Sequence, residues 1–472
     1  MVALAGLTVL GLFILAPSAS ACGLPAPPPL PIPKWLFMWG AAGAVLLSFV
    51  ALAVLWPRPR LERAGERPLA RLPRGLEPLC GLAGVALFVF LIDAGLRGSQ
   101  NPTTNLLPSF VYILFWIGLV PLSMLFGDVF ALFSPWRAVG RACGWVHRRL
   151  SLRLPGPLRY PERLGQWPAA VGLVGFAWLE LVDENGSDPS RLAHMALIYA
   201  GLQLAGMSAF GVRSWTANGD AFGAYYGLLS RIAPLRWERG VVYLRPPLTG
   251  LTGFSARAGT VALLAAMIGT TSFDGLLSGS AWNEHALGWL IERSRDLGFS
   301  QAHAPEAAGT MGLMLAPLVI GALYAIGCFG MRRFAGSGSG TGSWGAIVPA
   351  RRFVHTLVPI ALAYVIAHYF LLAAIEGQAL PRLFSDPLGN GSDIFGTVRW
   401  NVDYNWISPM TVAYVQVAVI LVGHIAGLTL AHDRALTLYR HASVATRSQY
   451  WMLTMMISLT MFGLWLLLEA QA

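Results

Sequence analysis

The sequence predicts an all-α polytopic membrane protein, a transmembrane helix bundle of about ten spans. Of its 472 residues, 55% are hydrophobic and only 12% are charged, and the mean hydropathy is +0.58. A water-exposed surface carries about twice that share of charged residues, so most of this surface must face lipid. Ten apolar stretches are long enough to cross a hydrocarbon core, which takes about 17 to 25 helical residues. They lie near 35–56, 79–97, 109–126, 167–183, 192–212, 258–275, 311–330, 353–375, 409–431 and 450–468.

The distribution of positive charge predicts the orientation of these spans. Loops on one side of the ten spans hold 26 of the 33 Lys and Arg residues, and the segments on the other side hold 7. The positive-inside rule therefore places the basic loops in the cytoplasm, with an N-out, C-out topology. Because this sorting explains the net charge of +10, the lipid bilayer is the expected partner and nucleic acid is not.

The first 21 residues have the pattern of a secretory signal. An apolar run is followed by Pro-Ser-Ala-Ser-Ala, with small residues directly before Cys22. We expect residues 1–21 to be a cleaved signal peptide, the alternatives being a retained extra span or a lipid-anchored Cys22. Residues 22–472 then form a single membrane domain. The four cysteines are widely spaced, which indicates neither a zinc site nor a disulfide framework.

Several segments between the spans have a recognisable character. Residues 134–150 are basic and aromatic, as in a helix lying on the cytoplasmic membrane surface. Residues 336–345 are rich in Gly and Ser and predict a flexible cytoplasmic linker, because no strand precedes the formal GxGxxG pattern they contain. Residues 237–244 are expected to form a short hairpin. The longest outer loops are 276–310 and 376–408.

Two cytoplasmic segments resemble each other. Gly-Asp-Val-Phe at 127–130 and Gly-Asp-Ala-Phe at 219–222 are each followed by an aromatic residue and an Arg. One interpretation is an internal repeat of the kind that transporters carry. The other is that Asp128 and Asp220 each begin a short interfacial helix as its N-cap.

Four ionisable groups within spans are the main candidates for chemistry, because charge inside a membrane is costly and usually functional. Asp93, Glu180, Asp274 and His368 lie 13 to 16 residues above the cytoplasmic end of their spans. At 1.5 Å per residue this is about 20 to 24 Å across a core of about 30 Å. The sequence therefore predicts one layer of three carboxylates and an imidazole near the outer face, unless each group has a separate partner.

Such a layer suits two kinds of chemistry. The His nitrogen and carboxylate oxygens of Asp93, Glu180, Asp274 and His368 would ligate a divalent metal such as zinc, and the metal would generate hydroxide from a bound water. Without a metal, two close carboxylates would share a proton and one would serve as a general acid or proton carrier.

A second polar set is expected in the cytoplasmic half of the membrane. It comprises His355, His424, His432, Asp433 and Asp128. His424 and His432 are about 12 Å apart along one helix, so they cannot bind the same ion. A haem would need two histidines at matching heights, and only His355 with His432 qualifies. Both sit at the membrane edge, so haem is not expected, and residues 432–434 are expected to cap a helix end.

Six segments resemble the bacterial membrane proteins known as fenitrothion hydrolases. They are 48–62 (SFVALAVLWPRPRLE), 127–142 (GDVFALFSPWRAVGRA), 160–182 (YPERLGQWPAAVGLVGFAWLELV), 270–275 (TTSFDG), 385–397 (SDPLGNGSDIFGT) and 423–436 (GHIAGLTLAHDRAL). The resemblance runs from about residue 30 to the last span. It implies an organophosphate hydrolase that cleaves an aryl ester from a lipophilic phosphotriester or phosphorothioate.

Three functions therefore remain open. The first is a membrane-embedded phosphotriester hydrolase with its site at the outer polar layer. The second is a transporter of a metal or small solute, in which the outer layer and the inner His set are successive stations on one path. The third is a structural or assembly subunit of a membrane complex.

Overall fold

The structure is a computed structural model that describes residues 33–73, 75–150, 156–279, 281–335, 347–439 and 441–469. The expected signal peptide at 1–21 and the linker at 336–345 lie outside these residues. Most of the described chain is helical, which confirms the predicted all-α polytopic bundle. The longer helices are α1 Lys34–Leu55, α2 Leu76–Arg97, α3 Leu106–Phe126, α4 Pro135–Arg149, α5 Trp167–Leu181, α6 Pro189–Phe210, α7 Ala221–Leu229, α8 Thr260–Leu277, α9 Leu287–Asp296, α10 Ala304–Ala335, α11 Leu357–Glu376, α12 Pro409–Leu438 and α13 Tyr450–Glu469.

Nine helical segments of the described chain are long and apolar enough to cross a membrane, which makes this a multi-pass membrane protein. They contain α1, α2, α3, α6, α8, α10, α11, α12 and α13. Within α3, the residues Phe110–Gly118 form a π-helix between two α-helical parts. Shorter helical turns are Val129–Phe133, Val212–Asn218, Thr249–Thr252, Ala281–Ala286, Ile347–Phe353, Val354–Thr356, Gly377–Ala379, Leu380–Ser385 and Ala442–Ser448.

A three-stranded antiparallel sheet joins two distant loops. The strands β1 Arg67–Arg71, β2 Leu235–Glu238 and β3 Val241–Leu244 are arranged in the order β1-β3-β2. The turn between β2 and β3 is Arg239-Gly240, with φ values of 50° and 76°, as a tight hairpin turn requires. The predicted hairpin is therefore present, and β1 extends it. We call the face that carries this sheet the basic face.

The shorter helix α5 corresponds to the predicted span at 167–183. It has 15 residues and so is about 22 Å long, which is less than a typical span. However, β1 pairs with β3, and the apolar helices of ten or more residues between them are α2, α3, α5 and α6. The chain there also contains α4, which is rich in Arg, and α7, which has only nine residues. Two loops of the chain can lie on the same side of the membrane only if an even number of spans separates them. All ten predicted spans therefore exist as helices, and α5 is one of them.

Backbone hydrogen bonds on the face opposite the sheet also support counting α5 as a span. The amide of Ser99 donates to the carbonyl of Leu388 at 2.7 Å, and the amide of Leu106 donates to the carbonyl of Pro387 at 3.1 Å. Six crossings separate these loops if α5 is included. The contacts join the loop after α2 to the loop before α12, and both lie on what we call the opposite face.

The helix α4 occupies the position predicted for a surface helix at 134–150. The Ser134 hydroxyl accepts the amide of Arg137 at 3.4 Å, and Pro135 begins the helix. Trp136 is buried, whereas Trp145 is exposed. The helix packs against α2 and α6 on the basic face.

Asp128 begins a short helix as expected, because its Oδ1 accepts the amide of Ala131 at 3.0 Å. Asp220 directly precedes α7, and its carboxylate accepts the Trp136 indole at 2.7 Å and the Tyr199 hydroxyl at 2.8 Å. Burial raises the pKa of Asp220, and these two donors partly oppose the rise. Because nearly all of α7 is buried, the expectation of an interfacial helix is wrong for α7.

Helices α11 and α12 pack closely at the centre of the bundle. A Cβ atom added at Gly427 would lie 2.8 Å from the carbonyl oxygen of Thr356, and one at Gly423 would overlap Ala363. Gly423 and Gly427 form the small-xxx-small spacing that lets membrane helices approach. This close contact fixes α11, which carries His368, within the bundle.

Candidate functional site

The centre of the candidate site is a contact between α8 and α11. The Nε2 atom of His368 lies 2.9 Å from Oδ2 of Asp274. The two side chains are 16% and 20% exposed, so most of the surface of each is covered by protein. Asp274 is three residues from the end of α8, which places the pair near the opposite face.

The other nitrogen of His368 faces a position without a side chain. A Cβ atom added at Gly275 would lie 3.6 Å from both Nδ1 and Cε1 of His368. A hydrogen bond from Nε2 to Asp274 leaves Nδ1 with a free lone pair. The glycine therefore leaves a space of about one methyl group next to a potential base.

Glu180 and Tyr369 complete the polar part of the site. The Glu180 carboxylate, on α5, is close enough to Asp274 for their charges to interact. The Tyr369 hydroxyl, on α11, lies beside the Asp274 carboxylate and the Trp116 indole. Three helices, α5, α8 and α11, thus bring two carboxylates, one imidazole and one phenol together.

Aromatic rings form the wall of the site towards the basic face. The ring of Trp116 lies 4.9 Å from that of Tyr225 and 5.0 Å from that of Phe176. Tyr225 is fully buried, its hydroxyl has no hydrogen-bond partner, and it interacts electrostatically with Glu180. A buried hydroxyl without a partner is costly, which makes it a candidate contact for a bound water or substrate oxygen.

The π-helix in α3 supplies Trp116 to this wall. The hydroxyl of Tyr226 donates to the carbonyl of Phe115 and lies 3.3 Å from the carbonyl of Trp116. A π-helical turn disturbs the regular hydrogen bonding of backbone carbonyls. The Tyr226 hydroxyl provides a hydrogen-bond donor for the carbonyls at this turn. Such turns occur frequently at functional sites.

Asp93 does not join the other three residues of the predicted layer. It forms an ion pair with Arg97 one turn along α2, and α2 packs against α4 and α6. Both residues line a shallow pocket on the opposite face, together with Gly98 and Asn390. The prediction that Asp93 converges with Glu180, Asp274 and His368 is therefore wrong. Asp93 pairs instead with Arg97 on its own helix.

The residues of the site do not fit the expected metal centre. Among the described residues, no three His, Cys, Asp or Glu side chains lie close enough together to hold a metal ion. A structural or catalytic zinc needs three or four protein ligands.

Residues 432–434 of the second polar set bind a loop and do not cap a helix end. Asp433 accepts the Trp56 indole at 2.9 Å and the amides of Arg60 and Glu62 at 2.6 Å and 2.9 Å. Arg434 pairs with Glu62 at 2.8 Å. The helix α12 continues to Leu438, so the prediction of a helix cap is wrong. These residues hold the loop after α1 on the basic face.

The remaining members of the second set are separate from one another. His432 is bonded through both ring nitrogens, to the Trp56 carbonyl at 3.1 Å and the Gln449 amide at 3.2 Å, so neither nitrogen is free for haem iron. His355 and His424 are buried, and each has an Nε2 atom without a hydrogen-bond partner. Asp128 lies near Arg137 and Arg231. The structure thus does not bring the five predicted residues together at one site.

Sequence reasoning missed the aromatic residues of the site. Trp116, Tyr225 and Tyr369 lie in apolar helices, where an aromatic residue is usually part of the core. The one signal in the sequence was the Gly-Asp segment that starts α7, since it places Tyr225 five residues after Asp220.

Three comparisons, with protein-family models, with curated proteins and with solved structures, each found no match for the chain.

Proposed function

We propose that the protein is a membrane-embedded hydrolase of lipophilic aryl phosphotriesters, in which His368 and Asp274 activate water. The observation that carries this proposal is the 2.9 Å contact between the two side chains, with Nδ1 of His368 facing Gly275. A His held by an Asp is the usual arrangement of a general base in hydrolases.

The reaction would proceed in one displacement at phosphorus. Nδ1 of His368 accepts a proton from water while the water oxygen forms a bond to phosphorus. The bond from phosphorus to the aryl oxygen breaks, and the aryl oxide leaves with the electron pair. The imidazolium then returns its proton to the aryl oxide. Asp274 and Glu180 stabilise the imidazolium, because their negative charges act at short range in a sheltered site.

Two further observations support an aryl ester as substrate. The wall formed by Trp116, Tyr225 and Phe176 offers aromatic faces next to the polar groups, and aromatic rings pack well against one another. In addition, the segments that resemble fenitrothion hydrolases include Glu180 and Asp274.

We further propose that the protein lies in the bacterial inner membrane with its basic face in the cytoplasm. The site would then lie in the outer half of the membrane. A lipophilic triester would reach it from the bilayer, and the released phenol would leave towards the outside.

Release of 4-nitrophenol from diethyl 4-nitrophenyl phosphorothioate by the purified protein tests the proposal. We expect turnover in the unaltered protein and in His441→Ala, which changes an exposed loop histidine. His368→Ala should lower kcat/KM by about 100-fold or more, as expected for loss of a general base. The proposal fails if His368→Ala and the unaltered protein release nitrophenol equally, or if neither releases it.

A second candidate, proton-coupled transport, is favoured by one observation. His355 and His424 each have a buried ring nitrogen without a partner, and they lie between the basic face and His368. Such nitrogens could relay protons through buried water. Counterflow of a labelled solute in proteoliposomes separates this candidate from the hydrolase, because a hydrolase without transport activity gives no counterflow.

A further inference from the structure

A shallow polar pocket lies at the end of α2 on the opposite face. It has a volume of about 510 Å³, which is within the range of about 300 to 1,000 Å³ typical of small-molecule sites. The residues that line it are Asp93, Arg97, Gly98, Ser99, Leu388, Gly389 and Asn390. The pocket therefore combines one carboxylate and one guanidinium with parts of two loops, the loop after α2 and the loop before α12.

The two loops form a wall of the pocket and are packed closely together. The amide of Ser99 donates to the carbonyl of Leu388 at 2.7 Å, and an added Cβ atom at Gly98 would lie 2.9 Å from the same carbonyl oxygen. The amide of Asn390 donates to Oδ1 of Asp386 at 3.0 Å. Because these contacts hold the wall in place, little ordering is needed when a ligand binds.

The side of α2 that carries Asp93 and Arg97 faces lipid. One, two and three turns before Asp93, the same side of the helix carries Val89, Ala86 and Leu82, and all three are exposed. The helix has 22 residues and is about 33 Å long, and Asp93 and Arg97 lie within its last five residues. The charged pair therefore lies near the level of the lipid head groups, above an apolar surface for acyl chains.

The ion pair leaves donors and acceptors of both side chains available. Nη2 of Arg97 contacts Oδ1 of Asp93, and the two side chains are 75% and 33% exposed. A guanidinium has five N–H donors and a carboxylate has about four acceptor positions, so this contact uses a small part of each. Arg97 has further N–H groups for a phosphate, and Asp93 has further acceptor positions for an ammonium group.

The two charges match an ethanolamine phospholipid, whose head group carries a phosphate and a primary ammonium. The ammonium offers three N–H donors to a carboxylate such as Asp93. A choline head group has no N–H donor and is usually bound by aromatic rings, but no residue that lines this pocket in the described chain is aromatic. A glycerol phosphate head group brings no positive charge to Asp93. The ethanolamine head group is therefore the one that complements both side chains.

We propose that this pocket binds an ethanolamine phospholipid of the adjacent leaflet, with its phosphate on Arg97 and its ammonium on Asp93. An acyl chain would lie along Val89, Ala86 and Leu82, below the head group. The head group would then contact both α2 and the loop before α12. This proposal is independent of the hydrolase function, and its tests measure lipid binding instead of turnover.

Native mass spectrometry of the full chain in detergent micelles tests the choice of lipid. The protein is titrated with phosphatidylethanolamine, phosphatidylcholine or phosphatidylglycerol, each with the same acyl chains. We expect the ethanolamine lipid to bind about threefold to tenfold more tightly than the other two, as for one charged hydrogen bond at an exposed site. Equal affinities of the three lipids would overturn the proposal.

Two variants locate the head group. Arg97→Gln should weaken binding of the ethanolamine lipid by about threefold to tenfold, because the phosphate loses its cation. Asp93→Asn should remove the preference for the ethanolamine lipid over the choline lipid. Both side chains are partly exposed, so we expect both variants to fold.

The matched controls are Arg293→Gln and Asp296→Asn. These residues form an exposed ion pair on α9 and do not line the pocket. We expect both control variants to bind the ethanolamine lipid like the unaltered protein and to keep its preference over the choline lipid. If Arg97→Gln and Asp93→Asn give the same result as these controls, the pocket is not the lipid site.

Glycerophosphoethanolamine, the same head group without acyl chains, distinguishes a lipid from a soluble ligand. We expect it to displace the lipid only at about tenfold or higher concentration, because it lacks the apolar contact with α2. Displacement at equal concentration would mean that the pocket takes a soluble solute, and it would overturn the assignment to a lipid.

Discussion

His368 and Asp274 are joined by a 2.9 Å contact between Nε2 and Oδ2, although they lie on different helices 94 residues apart in the chain. The contact orients the imidazole, because one ring nitrogen is committed to the carboxylate. The other nitrogen faces the small residue Gly275.

Filling the space beside His368 should lower turnover. Gly275→Ala adds a Cβ atom at an ordinary contact distance of 3.6 Å from Nδ1, so we expect activity within about threefold of the unaltered protein. Gly275→Val adds two further carbon atoms, which would displace the attacking water, and kcat should fall by about tenfold or more. Gly321→Val is the control, since a Cβ atom there meets only Ala265 at 3.8 Å. Equal rates for Gly275→Val and the control would show that the space is not used.

Removing the hydroxyl of Tyr225 should affect activity without loss of stability. Tyr225→Phe deletes a buried hydroxyl that has no hydrogen-bond partner. We expect the free energy of unfolding to stay the same or to rise by up to about 2 kcal/mol, because an unpaired polar group no longer has to be buried. The unfolding midpoint in a denaturant titration measures this, and nitrophenol release measures activity. A clear fall in stability would mean that the hydroxyl has a structural partner.

Asp433 should be essential for the loop after α1. In Asp433→Asn, the carboxylate that accepts the amides of Arg60 and Glu62 is lost, and we expect destabilisation by about 2 to 3 kcal/mol. Hydrogen exchange of residues 60–62 should become faster. The control is Asp188→Asn, an exposed residue whose side chain makes no cap hydrogen bond. Unchanged exchange at 60–62 would contradict the role of Asp433.

The loop after Ser385 should open in acid. Slight burial alone would raise the pKa of Asp386, but hydrogen bonds from Gly391, Ser392 and Asn390 outweigh it and lower the pKa below its usual value of 3.8. A hydrogen bond from Ser385 lowers the pKa of Asp393 in the same way. These bonds therefore stabilise the loop above pH 3.8, and the stabilisation is lost as the pH falls through the lower folded-state pKa values.

Hydrogen exchange between pH 3 and 5 measures this opening. After correction for the intrinsic rate, we expect protection of the Gly391 and Val398 amides, which donate to Asp386 and Asp393, to fall below pH 3.8. In a variant with both Asp386→Asn and Asp393→Asn, protection should not change with pH in this range. Constant protection in the unaltered protein would contradict the account.

The helix bundle could be predicted from the sequence because the membrane fixes the length and composition of each span. The shortest stretch, α5, was also found, although it has only 15 residues. The sheet could be predicted only in part. The hairpin of β2 and β3 is local, whereas β1 comes from a loop about 165 residues earlier in the chain.

The sequence predicted the depth of the site residues in the membrane, but not the direction in which each side chain points. Counting residues placed Glu180, Asp274 and His368 at one level, and the structure brings these three together. The same count included Asp93, which faces Arg97 because the rotation of a helix about its axis does not follow from depth. Asp433 was misinterpreted for a similar reason, since its partners at 56–62 lie about 370 residues away.

In the proposed reaction, His368 and Asp274 act as one unit on water. A double-mutant cycle tests it most directly, with kcat/KM for nitrophenol release measured in His368→Ala, in Asp274→Asn and in the double variant. Because Asp274 would act through His368, we expect the double variant to be about as slow as His368→Ala alone. Losses that multiply in the double variant, or single variants as active as the unaltered protein, would contradict the claim.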